Sequence, residues 1–276
     1  FGVLLALMQS DLKRLLAYSS VENIGIIVMG LGLGYLGMAC DRPGVAVLGF
    51  AGALLHLWNH AAFKGLLFLG AGAIRHSTGT GAMDRLGGLM KKMPLTGLFF
   101  CIGAAAISGL PPLNGFISEF LVYFSAFQGV VTRPGIVVIG AILVIAALAL
   151  IGGLAAACFT KAAGMIFLGE PRSTAVDSVH EVSRWMLAPM ATAAGICIVL
   201  GLSAPKLFPY LAPVIEIAAN GKEGVGYANL HMATTPLSWI IQAGGLLVIL
   251  TALLAGIRHA LLRSRKIALS GTWDCG

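Results

Sequence analysis

The sequence has few charged residues. Only 11% of its 276 residues are Asp, Glu, Lys or Arg, against about 25% in an average soluble domain. Hydrophobic residues make up 58% of the chain, and the mean hydropathy is +0.92. The ten-residue alternating segments of outer-membrane barrel strands are not visible in it. Long apolar runs instead predict an all-α, polytopic transmembrane helix bundle.

Acidic residues are the scarcer charged class, with 11 Asp and Glu against 18 Lys and Arg, which gives a formal net charge of +7. A basic balance can indicate nucleic-acid binding. Here the basic residues fall in short loops between apolar runs, where they set membrane topology. We therefore exclude nucleic acid as a partner and expect a lipid bilayer instead.

Closely spaced cysteines are also missing, since the five present form no Cys-x-x-Cys pair. Iron–sulfur clusters and structural zinc sites take their ligands from such motifs. We expect no metal, flavin, haem or cluster in this chain, and therefore no redox centre. The five residues are Cys40, Cys101, Cys158, Cys197 and Cys275.

Apolar runs of membrane-spanning length follow one another along the chain. Residues 1–9 are predicted to end an earlier helix, and residues 206–235 to form the longest loop. Because the chain opens on Phe1 inside an apolar stretch and stops at TWDCG, we expect a piece of a longer protein. The predicted spans are roughly residues 17–38, 44–74, 94–131, 135–168, 185–205 and 236–262.

The run 94–131 is interrupted by Pro111 and Pro112, which break a helix because proline lacks a backbone N–H. The break is either a loop between two crossings or a discontinuity within one crossing. Lys64 and Lys161 lie inside spans, so the other 16 basic residues decide. If the break is a loop, nine of these basic residues lie on one side of the membrane and seven on the other. If it is a discontinuity within one crossing, 12 lie on one side and four on the other. The positive-inside rule favours the discontinuity, with six crossings and the basic side cytoplasmic. The four residues left opposite are Arg42, Arg133, Lys206 and Lys222.

The residues Gly32-Leu-Gly-Tyr-Leu-Gly37 match the GxGxxG pattern of dinucleotide-binding sites. That pattern signals a dinucleotide only between a strand and a helix. Here it closes an apolar helix, so we expect its small residues to let two helices pack closely.

Three ionisable residues lie on one face of the second span. His56, His60 and Lys64 are spaced i, i+4, i+8, which stacks them along one side of a helix. Such groups at membrane depth cost about 2.5–3.5 kcal/mol each and mark functional sites. Lys64 lies too deep for a snorkelling lysine. The histidines carry both a donor and an acceptor and titrate near pH 6.5, so they suit a proton relay. Satisfied core histidines and an i, i+4 metal pair are the alternatives.

Glu119 follows the proline break by seven residues. It is the natural counter-charge for Lys64. Two roles are open for it, proton transfer and a structural ion pair that holds the broken helix. The two roles are compatible, because an ion pair that opens and closes changes the proton affinity of both partners.

Two further ionisable residues are candidates for a proton path. Glu22 lies just inside the first span, where either a proton-path role or a carboxylate tolerated at a helix N-terminus would explain it. Lys161 lies about two turns inside the cytoplasmic end of its span. Proton uptake and snorkelling are equally compatible with that position.

These motifs resemble the antiporter-like membrane subunits of respiratory complex I and related complexes. The resemblance covers residues 11–121 almost continuously. The hydrogenase-4 component B branch, from formate hydrogenlyase-type complexes, is the most similar, through VENIG, FTKAAGMIFLGEPR (159–172) and TWDCG. The family motifs are DLKRLLAYSSVENIG (11–25), LLHLWNHAAFKGLLFLGAG (54–72), MDRLGGLMKKMP (83–94) and ISGLPPLNGFISEFL (107–121).

The resemblance implies two inverted five-helix repeats, each with a discontinuous helix, of which this chain holds the second and the C-terminal helices. It implies that Lys64 is the lysine of the second half-channel, with His56 and His60 beside it. Glu119 then matches the terminal carboxylate on the broken helix, where some members carry lysine. Residues 1–168 would form the proton-translocating region and residues 169–276 the C-terminal helices and loops.

The function implied is proton translocation within a redox-driven complex of the hydrogenase-4, formate hydrogenlyase or NADH-quinone oxidoreductase type. The expected partners are the other membrane subunits, which would carry the electron transfer, and the expected location is the bacterial inner membrane. Two alternatives stay open. One is a cation/proton antiporter subunit of the sodium/proton exchanger type, and the other is a non-pumping membrane anchor for a hydrogenase.

Overall fold

The computed structural model describes residues 1–131, 135–219 and 225–263. Helices dominate these ranges, which contain no β-strand beyond one isolated bridge between Asp11 and Ala82. The all-α prediction is therefore confirmed. The helices are α1 (Gly2–Leu7), α2 (Leu12–Ala39), α3 (Pro43–Thr78), α4 (Pro94–Ile107), α5 (Asn114–Val131), α6 (Ile136–Phe167), α7 (Arg184–Ala218) and α8 (Val225–Leu262).

Five of these helices, α2, α3, α6, α7 and α8, are long and apolar enough to cross a membrane. Helices α4 and α5 are shorter, with 14 and 18 residues. At 1.5 Å per residue α4 measures about 21 Å, which is less than the roughly 30 Å of a bilayer core. Helix α4 therefore needs α5 to complete a crossing.

Loop contacts show that α4 and α5 form one crossing. Just before α4, the Gly88 N–H donates to the Leu168 carbonyl at the end of α6 (3.0 Å). At the end of α5, the Arg42 guanidinium donates to the Gly129 carbonyl from the α2–α3 turn (3.5 Å). The pair therefore starts at one end of the bundle and finishes at the other. The predicted discontinuity is confirmed.

The turn between α2 and α3 brings their backbones close together through small residues. A Cβ on Gly37 would lie 2.5 Å from the backbone nitrogen of Ala46. A Cβ on Gly49 would lie 2.7 Å from the backbone nitrogen of Gly34. Glycine is the residue that permits this approach. Two of the three glycines of the GxGxxG segment, Gly34 and Gly37, thus serve helix packing, as expected.

The prediction of a loop over residues 206–235 is wrong. Helix α7 continues to Ala218 and α8 begins at Val225. The segment has little apolar periodicity, which favoured a loop. The helix nevertheless continues through the prolines of α7, because in membrane helices neighbouring groups satisfy the freed backbone carbonyls. Several residues used above lie outside the described ranges, namely Arg133, Lys222, Cys275 and the TWDCG ending.

Two loops at the basic end of the bundle are bound to each other. The Lys92 ammonium donates to the carbonyls of Val176 (2.6 Å) and Asp177 (2.7 Å). The Glu181 carboxylate accepts from the Thr96 hydroxyl (2.6 Å) and from the Leu95 N–H (2.8 Å). A carboxylate at a helix N-terminus satisfies free N–H groups and suits the helix dipole. The loop after α6 therefore fixes where α4 begins.

Polar side chains are buried where α2, α3 and α5 meet. Burying polar groups among apolar residues costs free energy unless they are hydrogen-bonded. This layer is therefore the part of the fold that needs a functional explanation. Its members are Ser19, Glu22, Asn23, His56, Asn59, Lys64, Asn114 and Ser118.

Candidate functional site

Lys64 reaches from α3 to α2. Its side chain is buried, and its ammonium donates to the Leu16 carbonyl (2.7 Å) and to the Ser19 hydroxyl. The Ser19 hydroxyl in turn donates to the Leu16 carbonyl (3.1 Å). The lysine is thus held inside the bundle, as its depth in the span predicted.

Glu22 lies one turn after Ser19 on the same buried face of α2. Its Oε2 atom is buried without a hydrogen-bond partner among the described residues. Its charge interacts with those of Lys64 and Glu119. Helix α2 begins at Leu12, so the explanation of Glu22 by a helix N-terminus is wrong.

Glu119 does not form an ion pair with Lys64. Neither of them belongs to an ion pair within 4 Å in the part of the chain that the structure describes. The Glu119 carboxylate lies against the break, where a Cβ on Gly109 would be 2.8 Å from its Oε2. Glu22, rather than Glu119, is therefore the carboxylate that interacts with Lys64, and Glu119 interacts in turn with Glu22.

His56 is completely buried and bonded at both ring nitrogens. Its Nδ1 lies 2.9 Å from the Ser118 hydroxyl on α5, and its Nε2 lies 3.1 Å from the Asn23 Oδ1 on α2. Asn23 in turn donates from Nδ2 to the Ser19 carbonyl (2.7 Å). Through these contacts His56 joins three helices.

His60, one turn along α3, has a different environment. It is half-buried, and its ring is nearly perpendicular to that of Phe63, with centroids 5.6 Å apart. Its Nε2 is buried and has no hydrogen-bond partner among the described residues. Its charge, when protonated, interacts with that of Lys64. His60 therefore lies near enough to Lys64 for their charges to interact, and its Nε2 has no bonded partner among the described residues.

Asn59 and Asn114 secure the break between α4 and α5. The Asn59 amide donates to the Asn114 carbonyl (2.7 Å) and to the Ser118 hydroxyl (3.1 Å). The Asn114 side-chain amide in turn donates to Asn59 Oδ1 (3.3 Å). Irregular backbone at membrane depth needs such partners. The start of α5 is thus tied to α3.

Lys161 lies apart from this layer. Its ammonium donates to the carbonyls of Leu7 (2.7 Å) and Gln9 (3.1 Å). A lysine at the end of α1 satisfies carbonyls that have no partner within that helix. Its position near the basic end of the bundle is compatible with proton uptake, which stays a prediction.

Sequence reasoning missed the neutral members of the site. Their signal was present, because polar residues repeat at helical spacing on the faces that carry the charged ones. Asn59 lies between the two histidines on α3, for example. The missed residues are Ser19, Asn23, Asn59, Asn114 and Ser118.

A bundle with a broken helix and a buried layer of lysine, histidine and glutamate defines an antiporter-like membrane subunit. Residues 1–146 match the family described as "NADH:quinone oxidoreductase/Mrp antiporter, TM". The chain belongs to this family and is a multi-pass membrane protein. The predicted family is therefore confirmed.

Two relatives from Escherichia coli (strain K12) match the whole chain. Hydrogenase-4 component B is 39% identical over 280 residues, and formate hydrogenlyase subunit 3 is 36% identical over 288 residues. These matches cover 42% and 44% of the relatives, so the chain spans less than half of their length. The expected location in a bacterial inner membrane agrees with the matches.

A solved Mrp complex from Dietzia sp. DQ12-45-1b contains a chain of the same fold. The TM-score is 0.63 at 22% identity, and the match covers 87% of this chain and 46% of that one. The helix arrangement described above is therefore shared beyond the closely related sequences.

Proposed function

We propose that this chain is part of a proton-translocating subunit in a redox-driven membrane complex of the hydrogenase-4, formate hydrogenlyase or NADH-quinone oxidoreductase type. The observation that carries the proposal is the buried polar layer that links Lys64 on α3 to Glu22 on α2 and to the broken helix that bears Glu119. Electron transfer takes place in partner subunits.

Protons move through this layer between groups of changing affinity. His56, His60 and Lys64 line the path on α3, with Glu22 between Lys64 and Glu119, and Lys161 lies towards the basic end. Moving one charge against 100 mV costs about 2.3 kcal/mol. A hundredfold change in proton affinity supplies about 2.7 kcal/mol. Modest electrostatic switching at the Lys64–Glu22 pair is therefore sufficient.

The whole subunit includes more than this chain. We propose that residues 1–168 form the proton-translocating region and that residues 169–276 form C-terminal helices and loops. The family match over residues 1–146 supports the first assignment. Other membrane subunits complete the complex.

A substitution experiment tests the proposal. The full-length subunit carrying Lys64→Ala or Glu119→Gln is assembled in its complex, reconstituted in vesicles and supplied with the electron donor. A pH-sensitive dye reports protons moved per electron. We expect at least a tenfold fall, consistent with the size of proton-transfer effects. The exposed pair Lys91–Glu170, 3.5 Å apart, gives the controls Lys91→Ala and Glu170→Gln. Normal translocation in both test variants would refute the proposal.

A cation/proton antiporter subunit is the second candidate, because the matched family includes Mrp antiporters. It predicts proton movement in exchange for Na⁺ or K⁺ without any electron donor. Vesicles given a cation gradient and no donor distinguish the two functions. A mere membrane anchor predicts that the Lys64 and Glu119 variants affect assembly alone.

A further inference from the structure

The two histidines on α3 differ in how their ring nitrogens are bonded. For His56, the neighbouring Asn23 determines which ring nitrogen carries the hydrogen. The Asn23 Nδ2 donates to the Ser19 carbonyl at 2.7 Å. A flipped amide would set two oxygens against each other at this distance, so the orientation is settled. Its Oδ1 therefore faces His56 Nε2 at 3.1 Å. Because an amide oxygen only accepts, His56 carries its hydrogen on Nε2.

The second ring nitrogen of neutral His56 is then an acceptor, and Ser118 is its donor. The Ser118 hydroxyl lies 2.9 Å from Nδ1 and 3.1 Å from the Gly115 carbonyl, and its one hydrogen can bond only one of them. The Gly115 carbonyl lies in the first turn of α5, where a helical N–H already bonds it, whereas the unprotonated Nδ1 has Ser118 as its hydrogen-bond donor. The Ser118 oxygen also receives the Asn59 amide at 3.1 Å. The neutral ring is satisfied at both nitrogens by groups that carry no charge. A proton on Nδ1 would displace the hydrogen that Ser118 donates and would bury a positive charge with no carboxylate bonded to the ring.

His60 has none of these partners. Its Nε2 is buried and unbonded among the described residues, and it is spaced i, i+4 from Lys64. A buried polar atom of this kind calls for an explanation, and a proton exchanged with Lys64 provides one.

We propose that the histidines have separate tasks: His60 exchanges the proton with Lys64, while His56, held neutral by Asn23 and Ser118, is a positioning residue that clamps the broken helix against α2 and α3. This inference rests on the proposed function. Ser118 precedes Glu119 directly, so the clamp determines where that carboxylate stands at the break. Asn23 and Ser118 thereby become positioning residues of the proton path.

The decisive experiment compares rescue at the two histidine positions. Glutamine can donate and accept as neutral His56 does, but it cannot carry a proton. We expect His56→Ala to lower protons moved per electron about tenfold and His56→Gln to restore at least half of wild-type translocation. We expect His60→Gln to be as impaired as His60→Ala. Equal failure of both glutamine variants, or rescue at both positions, would overturn the assignment.

Ser118 provides a second test with a matched control. Ser118→Ala removes the donor to His56, and we expect at least a threefold fall that Ser118→Thr reverses. Ser125 is also buried on α5, and its hydroxyl also contacts α3, where it donates to the Val45 carbonyl (2.8 Å). Ser125→Ala should leave translocation unchanged. A loss in Ser125→Ala equal to that in Ser118→Ala would show a packing effect and contradict the clamp.

A spectroscopic measurement separates this inference from the proposed function. Ring ¹⁵N NMR of the full-length subunit in lipid nanodiscs at pH 7 reports the His56 tautomer without any pumping. We expect a neutral ring protonated at Nε2 and a changed Nδ1 signal in Ser118→Ala. A protonated ring, or one protonated at Nδ1, would refute the clamp. Wild-type complex that moves no protons would instead refute the proposed function alone.

Discussion

The interior layer and the basic end of this bundle both hold charged residues, but they differ in how completely those residues are bonded. At the basic end, Lys92, Lys161 and Glu181 bind backbone carbonyls and N–H groups of loops and helix ends. In the interior, Glu22 and His60 each keep a buried atom that has no hydrogen-bond partner among the described residues. A backbone bond alone does not distinguish the two regions, because Lys64 in the interior also donates to the Leu16 carbonyl. The distinguishing feature is the unbonded buried atom on a neighbouring ionisable group, which leaves a site for proton exchange.

The largest effect is expected where the break touches the interior layer. Gly109→Ala would place a Cβ 2.8 Å from Glu119 Oε2, so the carboxylate must move. We expect a severalfold loss of protons moved per electron in vesicles. Gly109 also has a φ of 63°, where a Cβ costs roughly 1–2 kcal/mol.

Gly79→Ala controls for this backbone strain. Gly79 has a φ of 72° and no atom within 4 Å of an added Cβ. The Gly79→Ala variant should lose about as much stability as Gly109→Ala and keep wild-type proton translocation. Equal transport losses in the two variants would show that strain, and not displacement of Glu119, explains the effect.

The intermediate effect is on stability, at the basic end. Glu181→Ala removes the acceptor for the buried Thr96 hydroxyl and the Leu95 N–H. We expect unfolding free energy to fall by about 1–3 kcal/mol, measured as a lower thermal midpoint of the purified subunit. The number of protons moved per electron should equal the wild-type value in the molecules that stay folded. A lower ratio at full stability would place Glu181 with the functional charges instead.

The sequence predicted the charged half of the site and the single broken crossing. Depth in the span singled out Lys64, and the loop charges identified the break. It did not predict that Lys64 interacts with Glu22 rather than directly with Glu119, because side-chain reach between helices depends on their rotation about their axes. It also missed Asn23 and Ser118, since neutral polar residues in apolar runs carry little energetic signal until their partners are known.

The smallest effect is expected at Lys161, where the two classes of charge meet. Lys161→Met removes the bonds to the Leu7 and Gln9 carbonyls, so we expect about 1–2 kcal/mol less stability. We expect translocation to fall by less than fivefold, far less than in Lys64→Ala. Lys161→Arg keeps donors for both carbonyls but holds its proton permanently. If Lys161 only anchors α1, the arginine variant restores both stability and transport. If it takes up protons, arginine restores stability alone, and Lys161 then joins the functional charges despite its backbone partners.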